Sequence, residues 1–255
     1  MLLTIVTISY NDLPGLKLSI QSLSKFINEF EEIEHVIIDG NSRDGTKDFL
    51  ENKFCSGFWI SEPDNGPCDA LNKGITNSKG KYILFLNAGD LIAKELTLEQ
   101  FRHILNILSS QTFDLVSLKV KNTDINKFIF PPNYSNNIRN KAMSLHHQGT
   151  FYFRKIFQEI GGYDEEYGMR GDLEMNLRIL TRTNPQIKSI RDIVITEFRG
   201  GGMTSSFRGS FIFHKLGFKA YKLYGLHTLK DRGWWLLGCM KIIKRAARLI
   251  IKHVS

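Results

Sequence analysis

Ser61-Glu-Pro-Asp-Asn-Gly-Pro-Cys-Asp-Ala-Leu-Asn-Lys-Gly-Ile75 and Lys81-Tyr-Ile-Leu-Phe-Leu-Asn-Ala-Gly-Asp90 decide how this chain reads. The second is an apolar strand, Tyr82 to Leu86, ending on Asp90. A strand without polar interruption is buried on both faces, as in a parallel sheet. The first is a loop rich in carboxylates (Glu62, Asp64, Asp69) that runs into a helix from about Asp69 to Thr76. Ligands of open α/β sheets collect outside the carboxyl ends of the strands. Carboxylates beside a glycine there suit a hard cation bridging to phosphate oxygens.

The neighbouring segments repeat the alternation. Leu2 to Ser9 is β-branched and reads as a strand. Leu16, Ile20, Leu23, Ile27 and Phe30 recur at helical spacing within 13–30. His35 to Asp39 is a second strand, 40–46 a turn, 46–52 a short helix and Phe58 to Ser61 a third strand. Strands alternating with helices predict right-handed βαβ units in an open, mostly parallel twisted sheet flanked by helices.

The second half is less regular. Thr97 and Gln100 fit a capping box for a helix to about Ser110. Asp114 to Val120 alternates like a strand, and the Asn-rich 122–143 with Pro131-Pro132 reads as a loop. A strand at 151–153, a helix at 154–160 closed by Gly161-Gly162, a helix at 171–182 entered through Asp172, and a strand at 193–198 follow. Gly200-Gly-Gly202 comes next, then a basic helical tail from about Ser206.

Composition sets bounds. The 255 residues carry a net charge of +8, unevenly spread. From Phe207 onward 11 Lys and Arg face a single acid, Asp231, while the first 206 residues hold 23 bases and 25 acids. A basic tail on a slightly acidic body points to an anionic surface, membrane or nucleic acid. Three cysteines without metal or disulfide spacing favour a reducing compartment. Met1 to Tyr10 lacks a basic leader region and a small-residue cleavage site, so it reads as a strand and not a signal peptide. No apolar stretch is long enough to cross a bilayer.

Single residues leave alternatives open. Asp39 can accept from a nucleobase N–H, or, with Asp44, shape an Asx-type turn. Asp172 is a candidate catalytic base and equally a helix cap, and the two roles are compatible. His147 and Gln148 either line a cleft or pack as ordinary polar groups. His146 and His147 are adjacent on an extended segment, so one metal does not take both. Residues 200–205 either approach a diphosphate with backbone N–H groups or form a linker.

Taken together, the motifs resemble those of a family-2, GT-A-fold nucleotide-sugar glycosyltransferase of the bacterial exopolysaccharide, capsule and O-antigen type. Thr7-Ile-Ser-Tyr-Asn11 is similar to that family's opening strand and turn, and Val36 to Thr46 to its nucleobase loop. Ser61 to Gly66, Asp69 to Ile75 and Phe85 to Asp90 resemble its donor motifs. His147 to Tyr152, Gly161 to Asp164 and Asp172-Leu-Glu174 resemble its acceptor half. The likeness covers about residues 3–205.

The resemblance implies roles. Asp39 would contact the base, Asp69 the base or ribose, Asp90 the Mg²⁺ or Mn²⁺ on the diphosphate, and Asp172 would be the base, with Glu174 as stand-in. Thr7, Ser9, Tyr10, Asn11, Asn41, Ser42, Asp64, Gly66, Asn72, Lys73, Asn87, Ala88 and Gly89 would line the donor site. His147, Gln148 and Arg199 would line the acceptor cleft. The implied reaction is inverting transfer from a UDP- or GDP-linked sugar to a lipid-linked saccharide. A nucleotide-binding half (1–92) and an acceptor half (93–205) would precede the tail (206–255).

Two departures stand out. The family's metal motif has two carboxylates one residue apart, and here Asn87-Ala-Gly-Asp90 has one. Gly66-Pro67-Cys68-Asp69 lacks the aromatic expected before the aspartate, and Pro67 stiffens the loop.

In the tail, Lys241, Lys244, Arg245, Arg248 and Lys252 share one helix face, with Leu236, Met240, Ile243, Ala247, Ile250 and Val254 largely opposite and Trp234-Trp235 in front. That is the pattern of a helix lying in an anionic membrane surface, or of one docked on the protein's own core. With the first reading, the enzyme would be peripheral on the cytoplasmic face of a bacterial inner membrane. The rivals are a nucleotidyltransferase, a non-catalytic scaffold that keeps the fold, and a nucleic-acid binder. Tyr10 to Pro14 is not the Gly-rich phosphate loop the first needs, and no nucleic-acid module is recognised.

Overall fold

The computed structural model describes residues 1–54, 56–133, 137–198 and 207–227. The chain separates into two compact units, Met1–Gly200 and Gly201–Ser255. In the second unit the described helix is α8 (Phe207–Leu223). The basic stretch 234–254, Arg199 and the 200–205 segment lie outside the described residues.

The first unit is built on a nine-stranded sheet. Strands β1 (Leu3–Ser9), β2 (Ile33–Asp39), β3 (Phe58–Ser61) and β4 (Tyr82–Phe85) are all parallel, in the order β3-β2-β1-β4. Helices α1 (Leu13–Glu29), α2 (Thr46–Lys53) and α3 (Pro67–Asn77) connect them, as the alternation predicts. Pro67 begins α3 two residues earlier than expected. A proline at that position loses no hydrogen bond, because the first helical N–H has no acceptor in the helix.

The other half departs from an all-parallel sheet. Strand β8 (Thr150–Phe153) pairs antiparallel with β4 and with β6 (Leu115–Asn122). A short strand buried along its length carries no mark of direction in its composition. Beyond β6 lie β9 (Ile187–Phe198), parallel to it, and β5 (Leu91–Ile92) at the edge. Strand β9 begins six residues before the expected start because its first half is half-polar. The 122–143 stretch is not one loop. It holds β7 (Lys127–Ile129), which turns back on β6 through a left-handed Asn126, and α5 (Ile138–Ser144), capped by Asn137.

Two apolar layers sandwich the sheet. On one face α1 and α4 (Leu98–Ser110) bring Phe26, Phe30, Phe101 and Leu105 against Ile5, Leu84 and Phe151. The Thr97–Gln100 capping box opens α4 as expected. On the other face α3, α6 (Lys155–Ile160) and α7 (Gly171–Arg182) bring Leu71, Phe157 and Met175 against Val6, Phe85 and Tyr152. Each such side chain contributes about 1.5–3 kcal/mol on leaving water. The result is a rigid slab whose strand ends, not its faces, are free for chemistry. Among the described residues no helix is long and apolar enough to cross a membrane.

Candidate active site

The loops after β1, β2 and β3 are stitched together at the carboxyl rim. Asp39 ends β2, fully buried. Its carboxylate accepts from Ser42 N at 3.0 Å, Ser42 Oγ at 2.5 Å and Ser61 Oγ at 2.7 Å. Ser42 Oγ in turn accepts from Asn11 N at 2.7 Å, and Asn11 Oδ1 from Arg43 N at 2.8 Å. Asn11 and Asn41 both adopt left-handed backbone, which asparagine tolerates in turns. Asp44 carries the Asx turn proper, accepting from Leu13 N and from Thr46 N and Oγ1. Burial works against its charge, yet the bonds from Thr46 and Leu13 prevail and hold the carboxyl below its usual range. Asp39 therefore organises this loop from beneath, while Tyr10, Asn11 and Asn41 are on the surface.

Gly40 permits a close approach. A Cβ there would fall 2.4 Å from Asp64 Oδ2 and 3.1 Å from the Tyr10 ring. Asp64 also accepts from Gly66 N at 2.9 Å, and Asp69 from Asn65 N at 3.0 Å. Lys73 gathers the acids, with Nζ 2.9 Å from Glu62 Oε1, 3.5 Å from Asp69 Oδ2 and 2.7 Å from the Pro63 carbonyl. Burial opposes its charge, but Glu62 and Asp69 keep the ammonium above its usual range.

Asp90 follows β4 and is buried. Its carboxylate receives one side-chain hydrogen bond, a long one from Gln148 Nε2 at 3.4 Å. Burial pushes its pKa up to about 7, and hydrogen bonds from Gln148 and the Asn87 backbone only partly offset this. The backbone beneath is held by Ser19 of α1, whose hydroxyl donates to Asp90 O at 2.7 Å and accepts from Gly89 N at 3.0 Å. Ala88 N donates to Ile8 O, which ties this turn to β1. Beside Gln148, His147 Nε2 lies 3.2 Å from Asn87 Nδ2. Burial pushes His147 down to about 4 against the pull of the Asp172 charge, so the ring is neutral. His147 Nδ1, Asn87 Oδ1 and Ser9 Oγ are buried with no partner among the described residues. His146 points elsewhere and stacks on Phe198 at 5.7 Å.

Asp172 is the second residue of α7, inside its first turn. The flanking position belongs to Arg170, so Asp172 is not the cap. It accepts from Leu173 N at 2.7 Å and is partly exposed. Its charge is felt at His146, His147, Tyr152, Tyr163 and Cys68, which puts the carboxylate within electrostatic reach of the His147–Asn87 pair.

Three of the expected residues are engaged elsewhere. Glu174 is buried in an ion pair with Arg178 at 2.7 Å, and Arg178 also donates to Ile160 O and Gly162 O. A carboxylate committed to that pair is part of the scaffold. Asn72 brackets the Tyr163 backbone, accepting from its N at 2.7 Å and donating to its O at 2.9 Å. Thr7 is buried with its hydroxyl 2.9 Å from His35 Nε2. Ser19 and Arg178 were not anticipated. A serine in the midst of the Leu16–Leu23 apolar face was the available signal for the former, since a buried hydroxyl needs a partner.

A mixed sheet with acid-bearing loops on one rim invites comparison with known proteins. Residues 4–161 match the family described as Glycosyl transferase family 2. The chain belongs to that family. An uncharacterized glycosyltransferase of Mycobacterium tuberculosis is 29% identical over 218 residues, covering 84% of this chain and 80% of its own. The Bacillus subtilis protein named putative teichuronic acid biosynthesis glycosyltransferase TuaG is 26% identical over 136 residues, 51% of this chain and 53% of its own. Among solved structures, Staphylococcus aureus TarS 1–349 with UDP-GlcNAc superposes with a TM-score of 0.64 at 15% identity, covering 96% of this chain and 81% of that one. The Pyrobaculum calidifontis mannosyltransferase PcManGT with GDP-Man and Mn²⁺ gives 0.62 at 17% identity, covering 96% and 75%. At such identities the structural likeness establishes the GT-A fold of this glycosyltransferase.

Proposed function

We propose that this glycosyltransferase moves a sugar from a UDP- or GDP-linked donor to a lipid-linked saccharide with inversion at the anomeric carbon, in bacterial surface polysaccharide synthesis. One observation carries the reading: the buried Asp90, whose hydrogen bonds leave burial only partly offset, beside Gln148 and the His147–Asn87 pair at the end of β4. A carboxylate with so little compensation in the protein suits a site completed by a cation. Among the described residues no group of three or more ligating side chains surrounds it, so Asp90 alone would hold the ion, with the donor diphosphate supplying further oxygens. When bound, Mg²⁺ or Mn²⁺ supplies Lewis-acid stabilisation of the departing diphosphate.

The chain's own residues do the rest. The Asp39-held loop, Tyr10 and Asp64 receive the base, and Asp69 with Lys73 the ribose side. Asp172 accepts the proton of the acceptor hydroxyl, which then attacks the face opposite the leaving group. Residues 234–254 hold the enzyme to anionic lipid on the cytoplasmic face, a proposal resting on their charge pattern alone. Thermal stabilisation across a panel of nucleotide sugars, with and without Mn²⁺, tests the donor class. Turnover with NMR assignment of the product anomer tests inversion. No stabilisation by any UDP- or GDP-sugar would remove the reading.

A further inference from the structure

Beyond the catalytic centre, the 122–144 excursion builds a second polar hollow. It has a volume of about 260 Å³ and is lined by Phe130, Asn133, Asn140, Lys141, Ser144 and Arg191, among others, with no carboxylate in its wall among the described residues. Lys119 Nζ lies 5.6 Å from the Phe130 ring centroid and the Arg191 guanidinium 5.2 Å, so one half-exposed ring orders two cations. Arg191 is fixed further by donating to the Pro131 carbonyl at 3.0 Å. Lys141 has no acidic partner among the described residues. In a body with more acids than bases, cations gathered with no acidic partner among the described residues are not compositional background. They repel one another unless water or an anion lies between them.

The hollow is joined to the catalytic rim. Ser144 lies three residues before His147, and α5 is tied to α7 by Asn176 Nδ2 donating to Leu145 O at 2.6 Å and Ala142 O at 3.3 Å. The His147–Gly149 turn packs on β6, where a Cβ at Gly149 would fall 2.3 Å from Val120 Cγ1. Lys119, between Leu118 and Val120 on β6, points to the opposite face of the strand, where it meets Phe128 and Phe130.

We propose that this hollow is an acceptor subsite for an anionic group, a carboxylate or phosphate on the saccharide, bound away from the hydroxyl that reacts. The inference rests on the glycosyltransferase reading above. The two cations that line it, Lys141 and Arg191, with the Asn140 amide beside them, match an oxyanion. The small volume admits one sugar unit and not a helix or strand of a partner protein.

Calorimetry on the full chain provides the test, with trigalacturonate as the anionic probe, maltotriose as its neutral counterpart, and inorganic phosphate and UDP titrated separately. Trigalacturonate is expected to bind at least tenfold more tightly than maltotriose. Lys141→Gln with Arg191→Gln removes at least tenfold of that affinity, Lys141→Arg with Arg191→Lys restores most of it, and the UDP affinity stays within twofold throughout. Phosphate that weakens in parallel would support the anion as the recognised element. Equal binding of the two trisaccharides, no trigalacturonate binding at all, or indifference to the double variant overturns the subsite. If UDP itself fails to bind the wild type, the parent reading fails instead, so the two failures are distinguishable.

Discussion

The Cys68 sulfur occupies the space that a side chain on Gly171 would need: a Cβ at Gly171 would fall 2.4 Å from Sγ. The thiol also donates to Gly168 O at 3.2 Å, and burial first, with Asp172 second, pushes its pKa up to about 12. It is therefore an inert packing group that pins the start of α3, on the donor side, to the start of α7, which carries Asp172.

That contact yields a paired test. Gly171→Ala is expected to destabilise by about 1–3 kcal/mol through overpacking and to lower turnover by shifting Asp172. Adding Cys68→Ala removes the clash and should recover most of both losses. Chemical denaturation and kcat on the single and double variants measure this, and an additive double variant would contradict it.

Asp172 and Glu174 separate cleanly. Asp172→Asn is expected to cut kcat by roughly 10²–10⁴-fold with donor affinity and thermal stability little changed. Glu174→Gln leaves Arg178 buried without its anion, at a cost of about 3–5 kcal/mol. Its effect is on unfolding midpoint first. The reverse pattern would exchange the two assignments.

For Asp90, Asp90→Asn should abolish any Mn²⁺-dependent gain in UDP affinity and lower turnover by roughly 10²–10³-fold. Calorimetry of UDP with and without Mn²⁺ reads the first effect independently of catalysis. Preserved metal dependence in the variant would place the ion elsewhere.

His35 supplies the pH dependence. Burial pushes its imidazole down to about 3, so it is neutral in the folded chain and protonates in the unfolded chain below about 6.5. Its contribution is complete above pH 6.5 and is lost as the pH falls towards 3, amounting to about 2 kcal/mol by pH 5. His35→Gln should be less stable at pH 8, having lost the Thr7 contact, but should lose about 2 kcal/mol less than wild type between pH 8 and 5. Denaturant midpoints at the two pH values decide it.

The parallel half of the fold was legible because β4 is an uninterrupted apolar run, β1 is rich in β-branched residues and β2 carries Val36-Ile37-Ile38, and the α4 cap because Thr97 and Gln100 satisfy a local geometric rule. The antiparallel course of β8 was not, since direction is set by which partners a strand finds. The same holds for β7 and α5, each too short to show a period. In the site, residue types and their order gave the rim acids. They gave neither the Asn72–Tyr163 bracket nor the Glu174–Arg178 pair, because a polar side chain looks alike in sequence whether it faces a ligand or a backbone carbonyl.

Strand β8 reverses direction beside β4, delivering Gln148 to Asp90 across a span of 58 residues. During synthesis on the ribosome the donor strands can emerge and pair well before that segment exists. A nascent chain arrested ahead of β8 would hold its first four strands yet leave Asp90 open to water, so catalytic competence arrives late in translation, with the second half of the domain.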